Sequence, residues 1–243
     1  MIGKHIEDFL RKWAKTGRPE IYNEFSFQFE LGGYLRKKLP KYKVQFERNI
    51  SDFFIDEKNY QNRNNLVKDN ETIKYKFYKK EIDIVVFEGD NPWGATEKYA
   101  IELKYIMPSD PTTDKMHEML EDVAFTAQLR DQNNFENVSI VGNDQKIKSI
   151  TKQSFCHTYA VTLTNRNDFY ECRKGWKGDK QDLESTGAES RYYVFRTEGT
   201  GKNGISCAGG KYEKGGKLAR DVPSFTSKWQ DLQNDFRYYM VEW

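Results

Sequence analysis

The chain has little of what usually announces several function classes. Cysteine is scarce: Cys156, Cys172 and Cys207 are the only three in 243 residues, widely spaced and odd in number. They fit neither a zinc site nor a disulfide framework, so a reducing, cytoplasmic setting is the expectation. His5, His117 and His157 are scattered, with no Cys or His at metal-ligand spacing, and core or surface roles are expected for them. No apolar run is long enough to span a membrane. The amphipathic start MIGKHIEDFLRKWAK carries two acidic residues, unlike a secretory signal. Excess charge of one sign is missing too. Lys plus Arg number 39 against 37 Asp plus Glu, a formal charge of +2, so any nucleic-acid contact must come from a local patch. No Ser-His-Asp order has a nucleophile-elbow context. Gly199-Thr200-Gly201-Lys202 and Gly215-Gly216-Lys217 neither follow a strand nor open a helix, and they read as loops rather than phosphate cradles.

What is present is aromatic and patterned. Fifteen Tyr and 16 Phe argue against disorder, and the length suits one large domain or a domain with a substantial lobe. Ile6, Phe9, Leu10 and Trp13 give residues 4–15 one apolar side, and Arg18-Pro19 breaks that helix. Phe27, Leu31 and Leu35 predict a second helix over about 20–38, stopped by Pro40, with Gly32-Gly33 suggesting close backbone packing. Residues 43–50 alternate as a strand, and 56–71 read as an exposed Asn-rich insertion. Thr72 to Phe87 reads as a long β run turning at Asn91-Pro92-Trp93-Gly94 into a strand over 98–106. A loop over 108–113 leads to a helix of about 115–132, with Met116, Leu120, Val123, Ala124 and Ala127 inward. Strands follow at 139–142 and 157–164, and then at 192–196 and 237–243 within a turn-rich C-terminal part. The order predicts an α/β (α+β) chain with a mixed central sheet flanked by helices. It is read as a single domain over 1–243, with a core of about 20–165 and a β-rich extension of about 172–243 packed on or continuing the sheet.

Charges inside two of these strands carry the functional argument. Asp83 lies in Lys80-Glu81-Ile82-Asp83-Ile84-Val85-Val86-Phe87, and Glu102 and Lys104 lie in Tyr99-Ala100-Ile101-Glu102-Leu103-Lys104-Tyr105. Charges are rarely buried unless paired or bound to a metal. Period-two geometry puts Glu102 and Lys104 on one face and Ile101, Leu103 and Tyr105 on the other. Asp83 lies beside them if the two strands are neighbours. Two adjacent carboxylates repel, and one protonates unless a cation sits between them. Mg²⁺, a hard ion that takes oxygen ligands, suits such a pair, and the Leu103 carbonyl could complete its shell. Lys104 would stabilise developing negative charge, or position or deprotonate a water. The bland alternative is a cross-strand ion pair on a half-exposed sheet.

Asp83 in EIDIVVF and Glu102-Leu103-Lys104 in YAIELKY resemble the PD-(D/E)XK, or restriction-endonuclease-like, nuclease superfamily over roughly residues 20–165. Ile82 stands where a proline often precedes the Asp, and the C-terminal third matches nothing in the shared core. The resemblance implies a restriction-endonuclease-like core (α-β-β-β-α-β) and Mg²⁺-dependent (Mn²⁺ possible) hydrolysis of nucleic-acid phosphodiesters, with DNA favoured over RNA. It implies catalytic roles for Glu24, Asp83, Glu102 and Lys104, and metal ligation by Asp83, Glu102 and Leu103. The helix carboxylate is Glu24, which shares the face of Phe27 and Leu31, with Glu30 on the flank as the alternative. Gln28 near that face could bond a carboxylate or ligand, and Gln128 is a further Gln candidate on the later helix. Lys79 and Lys80 border the Asp83 strand and could touch phosphate, but read better as solvated edge lysines. Arg166, Phe169, Tyr170, Arg173, Lys174 and Trp176 could stack on bases and contact phosphates, or simply decorate a β-rich lobe. The competing expectation is a binding module for nucleic acid or protein that shares the fold without catalysis.

Overall fold

The computed structural model describes residues 2–53, 72–74, 79, 81–92, 95–131, 139–141, 146–148, 154–166, 169, 204–207, 210–212 and 220–243. The expected insertion over 56–71, the strand over 192–196, both glycine-lysine loops and residues 170–176 lie outside these.

Helix α1 spans Ile2–Thr16 and buries Ile2, Ile6, Phe9, Leu10 and Trp13, the stripe that its 3.6-residue period requires. Helix α2 spans Glu24–Lys38 rather than starting near 20, because Asn23 caps it. The Ser26 N–H donates to Asn23 Oδ1 at 2.7 Å, and the Asn23 N–H donates back to Ser26 Oγ at 3.1 Å. This reciprocal pair satisfies two otherwise unpaired N–H groups and fixes the first turn.

The principal sheet has six strands: β1 (Tyr42–Asn49), β3 (Glu81–Glu88), β4 (Lys98–Ile106), β7 (His157–Thr164), β12 (Gln230–Asp231) and β13 (Arg237–Glu242). Its order is β1-β3-β4-β7-β13-β12, antiparallel throughout except for the parallel β4–β7 pair. The parallel step needs a crossover, and helix α3 (Thr112–Arg130) lies within it. The protein is thus mixed α/β, with a six-stranded mixed sheet flanked by helices. The run expected over 72–87 is not one strand. Its first part, β2 (Thr72–Lys74), pairs with β5 (Ser139–Val141), which pairs with β6 (Lys146–Lys148), in a separate three-stranded sheet. Two further pairs join β8 (Gly204–Cys207) to β11 (Phe225–Lys228) and β9 (Gly210–Tyr212) to β10 (Arg220–Val222).

Both faces of the principal sheet are covered, which is why its inner strands read as nearly continuous apolar runs. On one face Ile84, Val86, Ile101, Leu103, Tyr105, Val161 and Leu163 pack with the apolar sides of α1 and α2. On the other, Ile106, Ala160, Tyr239 and Val241 meet Met119, Leu120, Val123 and Ala124 of α3. The C-terminal strand β13 continues the sheet beside β7. Gly32 explains one of the paired glycines of α2: a Cβ there would lie 2.1 Å from the Phe46 ring of β1. That ring is flanked by Phe29, with centroids 6.4 Å apart, and by the Arg36 guanidinium at 4.7 Å. At Gly33 a Cβ would meet nothing within 4 Å.

Two predictions follow from this packing. Gly32→Ala is expected to destabilise by about 1–3 kcal/mol through overpacking. Gly33→Ala should stabilise by about 0.5–1 kcal/mol through helix propensity. Urea unfolding of the pair checks both. The second concerns Lys98, which is 1% exposed at the start of β4, its Nζ 5.6 Å from the Phe155 ring centroid. Burial lowers its pKa to about 8, against a small opposing pull from Cys156. Between pH 8 and the ordinary lysine range the unfolded chain binds the extra proton, so this group's contribution to stability rises with pH. Below pH 8 the folded state carries the full cost of a buried ammonium. Lys98→Met should therefore stabilise at pH 7 by roughly 3 kcal/mol. Its advantage over wild type should shrink as pH rises from 8 to 10, as read from paired melts.

Candidate active site

β3 and β4 are neighbours, and their ladder runs from Phe87–Lys98 to Ile84–Ile101. Asp83 and Glu102 come next, and here the ladder gives way to carboxylate contacts. The Leu103 N–H donates to Asp83 Oδ2 at 2.7 Å, and the Asp83 N–H donates to Glu102 Oε1 at 3.2 Å. Each acid thus satisfies a backbone donor freed where the strands diverge. Because N–H and C=O of one strand residue point to the same side, the Leu103 carbonyl faces this opening as well.

The edge strand bends at the same level. β1 passes from Phe46–Ile84 to Arg48–Ile82 with Glu47, opposite Asp83, at φ 48°. A left-handed non-glycine residue costs on the order of 1–3 kcal/mol and needs its surroundings to hold it. Gln28 of α2 does so: its Nε2 donates to Glu47 Oε1 and to the Asp83 carbonyl, both at 2.6 Å. Gln28 thereby ties α2, β1 and β3 together behind the site.

Glu102 is fully buried and Lys104 nearly so, and both face α3 as the period-two pattern requires. Glu24, in the first turn of α2, reaches Lys104 from the other layer. Its carboxylate lies 3.1 Å from Lys104 Nζ and accepts the Tyr105 N–H at 3.3 Å. Glu30 lies elsewhere, lining a cavity of about 220 Å³ with Lys12, Arg18 and Lys37. Of the two helix carboxylates, Glu24 is the one brought to the strand lysine, Lys104. Gln128 is on α3 but about 120° around it from Asp122.

Two members of the cluster were not expected. Lys79, just before β3, is not a solvated edge lysine: its Nζ donates to Glu102 Oε2 at 2.6 Å and to Asp122 Oδ1. Lys80 lies outside the described residues. Asp122 comes from α3 and is 3% exposed. Its signal in the sequence was an acid among Met119, Val123 and Thr126, positions on the helix's buried side, where an unpaired charge is costly. For Lys79 no sequence signal separates it from its neighbour. Of the aromatic and basic stretch, Arg166 stacks on Phe169 at 5.0 Å and donates to the Asp110 carbonyl, both internal contacts. His157 Nδ1 lies 3.0 Å from Glu242, remote in sequence and strand from the acids.

The electrostatics follow from burial. Burial, then the charge of Glu102, pushes the Asp83 carboxyl well up, and Lys79 and the Leu103 N–H only partly restore it. Burial raises Glu102 likewise, with Lys79 opposing. Burial alone would lower Lys79, but Asp122, Glu102 and Asp83 outweigh it and hold it protonated. For Lys104 burial again opposes, and Asp122 and Glu24 prevail. The site is therefore a crowd of carboxylates short of positive charge, met for now by two ammonium groups.

Comparison with known proteins adds no relative. No family model matches the chain, and no curated protein or solved structure matches it. The chemistry must be argued from the residues. Hard oxygen donors from Asp83, Glu102 and the Leu103 carbonyl suit a divalent ion such as Mg²⁺, and the raised carboxyl pKa values mark a place where more positive charge is welcome. Among the described residues, no three carboxylate, imidazole or thiolate groups already converge as a closed metal cage.

Lys79→Met should cost about 3–5 kcal/mol of stability, because it strands buried carboxylates without their partner. A cost under 1 kcal/mol in denaturant unfolding would show that the pair is not electrostatically important.

Proposed function

We propose that this protein is a metal-dependent nuclease of the PD-(D/E)XK type, its sheet and helices forming a restriction-endonuclease-like core. The observation that carries the reading is the contact of Asp83 with Glu102 where β3 and β4 part, with Lys104 two residues on, linked to them through Asp122 and Lys79 and held by Glu24 of α2. Asp83, Glu102 and the Leu103 carbonyl would hold Mg²⁺ or Mn²⁺. Such an ion, when bound, supplies charge stabilisation at a phosphodiester and a more acidic water. Lys104 places an ammonium beside the reacting phosphate, where negative charge develops. Glu24 orients that ammonium and ties it to the Tyr105 backbone. Gln28 holds the Asp83 peptide in register. Nucleic acid, DNA before RNA, is the proposed partner. Tyr22, Phe25 and Phe29, exposed by 64%, 69% and 57%, lie at the N-terminal end of α2 and offer faces on which unpaired bases can stack.

One observation favours a second reading, a binding module that keeps the fold without catalysis. Lys79 and Lys104 already neutralise much of the acidic cluster internally. Calorimetry with Mn²⁺ and a cleavage assay on single- and double-stranded DNA and RNA separate the two. For the nuclease, Asp83→Asn abolishes ion binding at the Asp83–Glu102 pair, and Lys104→Ala, in protein shown by circular dichroism to be folded, lowers cleavage by about 10²–10⁴-fold. Cleavage unaffected by Lys104→Ala sinks the catalytic assignment. An absence of any Mn²⁺ binding leaves the module.

A further inference from the structure

We propose that Asp122, with Glu102, forms a divalent-cation site on the α3 side of the cluster, and that the Lys79 ammonium is its placeholder, displaced when the ion binds. This rests on the reading of the site as metal-dependent, and it assigns residues outside the Asp83 and Glu102-Leu103-Lys104 motif.

The geometry supports it in three ways. A single cationic atom, Lys79 Nζ, already bridges Glu102 Oε2, at 2.6 Å, and Asp122 Oδ1. Both oxygens thus already face one cationic position, and carboxylate oxygens are the ligands a hard divalent ion takes. The second Asp122 oxygen, Oδ2, is buried without a hydrogen-bond partner, and Lys104 Nζ lies 3.8 Å from it. A buried acceptor of this kind is short of hydrogen bonds, and the ion-pair contact with Lys104 does not supply one. Finally, the exits are in place. The Lys79 side chain is 28% exposed on the segment before β3, so it can swing to solvent without unthreading the sheet. Glu118, one turn before Asp122, is 36% exposed, with its carboxylate 3.5 Å from Lys104, and forms the rim an incoming ion would pass. Charge decides the exchange: one ammonium offsets one of the two carboxylates, whereas a divalent ion offsets both.

The test is isothermal calorimetry with Mn²⁺ alone on wild type, Asp122→Asn, Asp83→Asn and Lys79→Met, each checked by circular dichroism and thermal melting. Asp122→Asn should lose an ion or weaken binding at least tenfold, and Lys79→Met should bind at least tenfold more tightly and gain more in melting temperature from Mn²⁺ than wild type. Binding unchanged in Asp122→Asn overturns the proposal. If that ion is nevertheless lost in Asp83→Asn, the nuclease reading stands and only the Asp122 site falls. No binding in any of the four proteins removes both. Should Asp122→Asn fail to fold, anomalous scattering from Mn²⁺-soaked wild-type crystals decides. An ion on the Asp122 carboxylate with Lys79 swung away supports the site, and an ion touching Asp83 and Glu102 alone rejects it.

Discussion

Negative charge buried at the middle of a covered sheet is the constraint around which this structure is arranged. Glu102 is fully enclosed, Asp83 stands beside it, and Asp122 comes in from the facing helix. Carboxylates in such surroundings either take up protons or acquire cations and hydrogen-bond donors. The protein meets the demand from several directions. The diverging strands offer backbone N–H groups of Asp83 and Leu103, Lys79 spans Glu102 and Asp122, and Lys104 spans Glu24, Glu118 and Asp122. Two layers of helices and the sheet between them are thereby tied to one electrostatic centre.

The same constraint accounts for irregularities that hydrophobic packing does not. The β3–β4 ladder ends at Ile84–Ile101, so the freed donors are where the acids need them. Glu47 adopts a left-handed backbone opposite Asp83, and Gln28 holds both. Ile82 packs with Ile50, Phe53 and Val85, although strict alternation would put it on the face of Ile84. A buried ion-pair network of this kind adds little to stability relative to apolar packing. Its place at the end of the β3–β4 ladder is therefore not accounted for by stability.

Much of the framework was legible in the chain. Strands over 98–106 and 157–164 were readable because both their faces are buried, which leaves continuous apolar runs. Helix α1 was readable because its apolar stripe is regular, and helix α3 because its inner face is small and aliphatic. The start of α2 was placed too early because Asn23 and Ser26 set it, and a capping pair outweighs the apolar period at a helix end. The run over 72–87 was misread as one strand because β-propensity does not say which sheet a segment joins, and Thr72–Lys74 pairs with Ser139–Val141 instead.

At the site the division is sharper. The sequence by itself determined that Glu102 and Lys104 share a face, because strand periodicity is a local property of the backbone. It also singled out Asp83 as a charge within an apolar run, and the helical period put Glu24 on the face of Phe27 and Leu31. Only the tertiary structure decided which charges meet. Lys79 reaches Glu102 and Asp122 from 23 and 43 residues away, and Lys104 reaches Glu24 across 80. Such contacts are products of strand order and layer packing, which bring distant side chains to one point. Local pattern carries no record of them, so the motif was visible in the chain and its counter-ions were not.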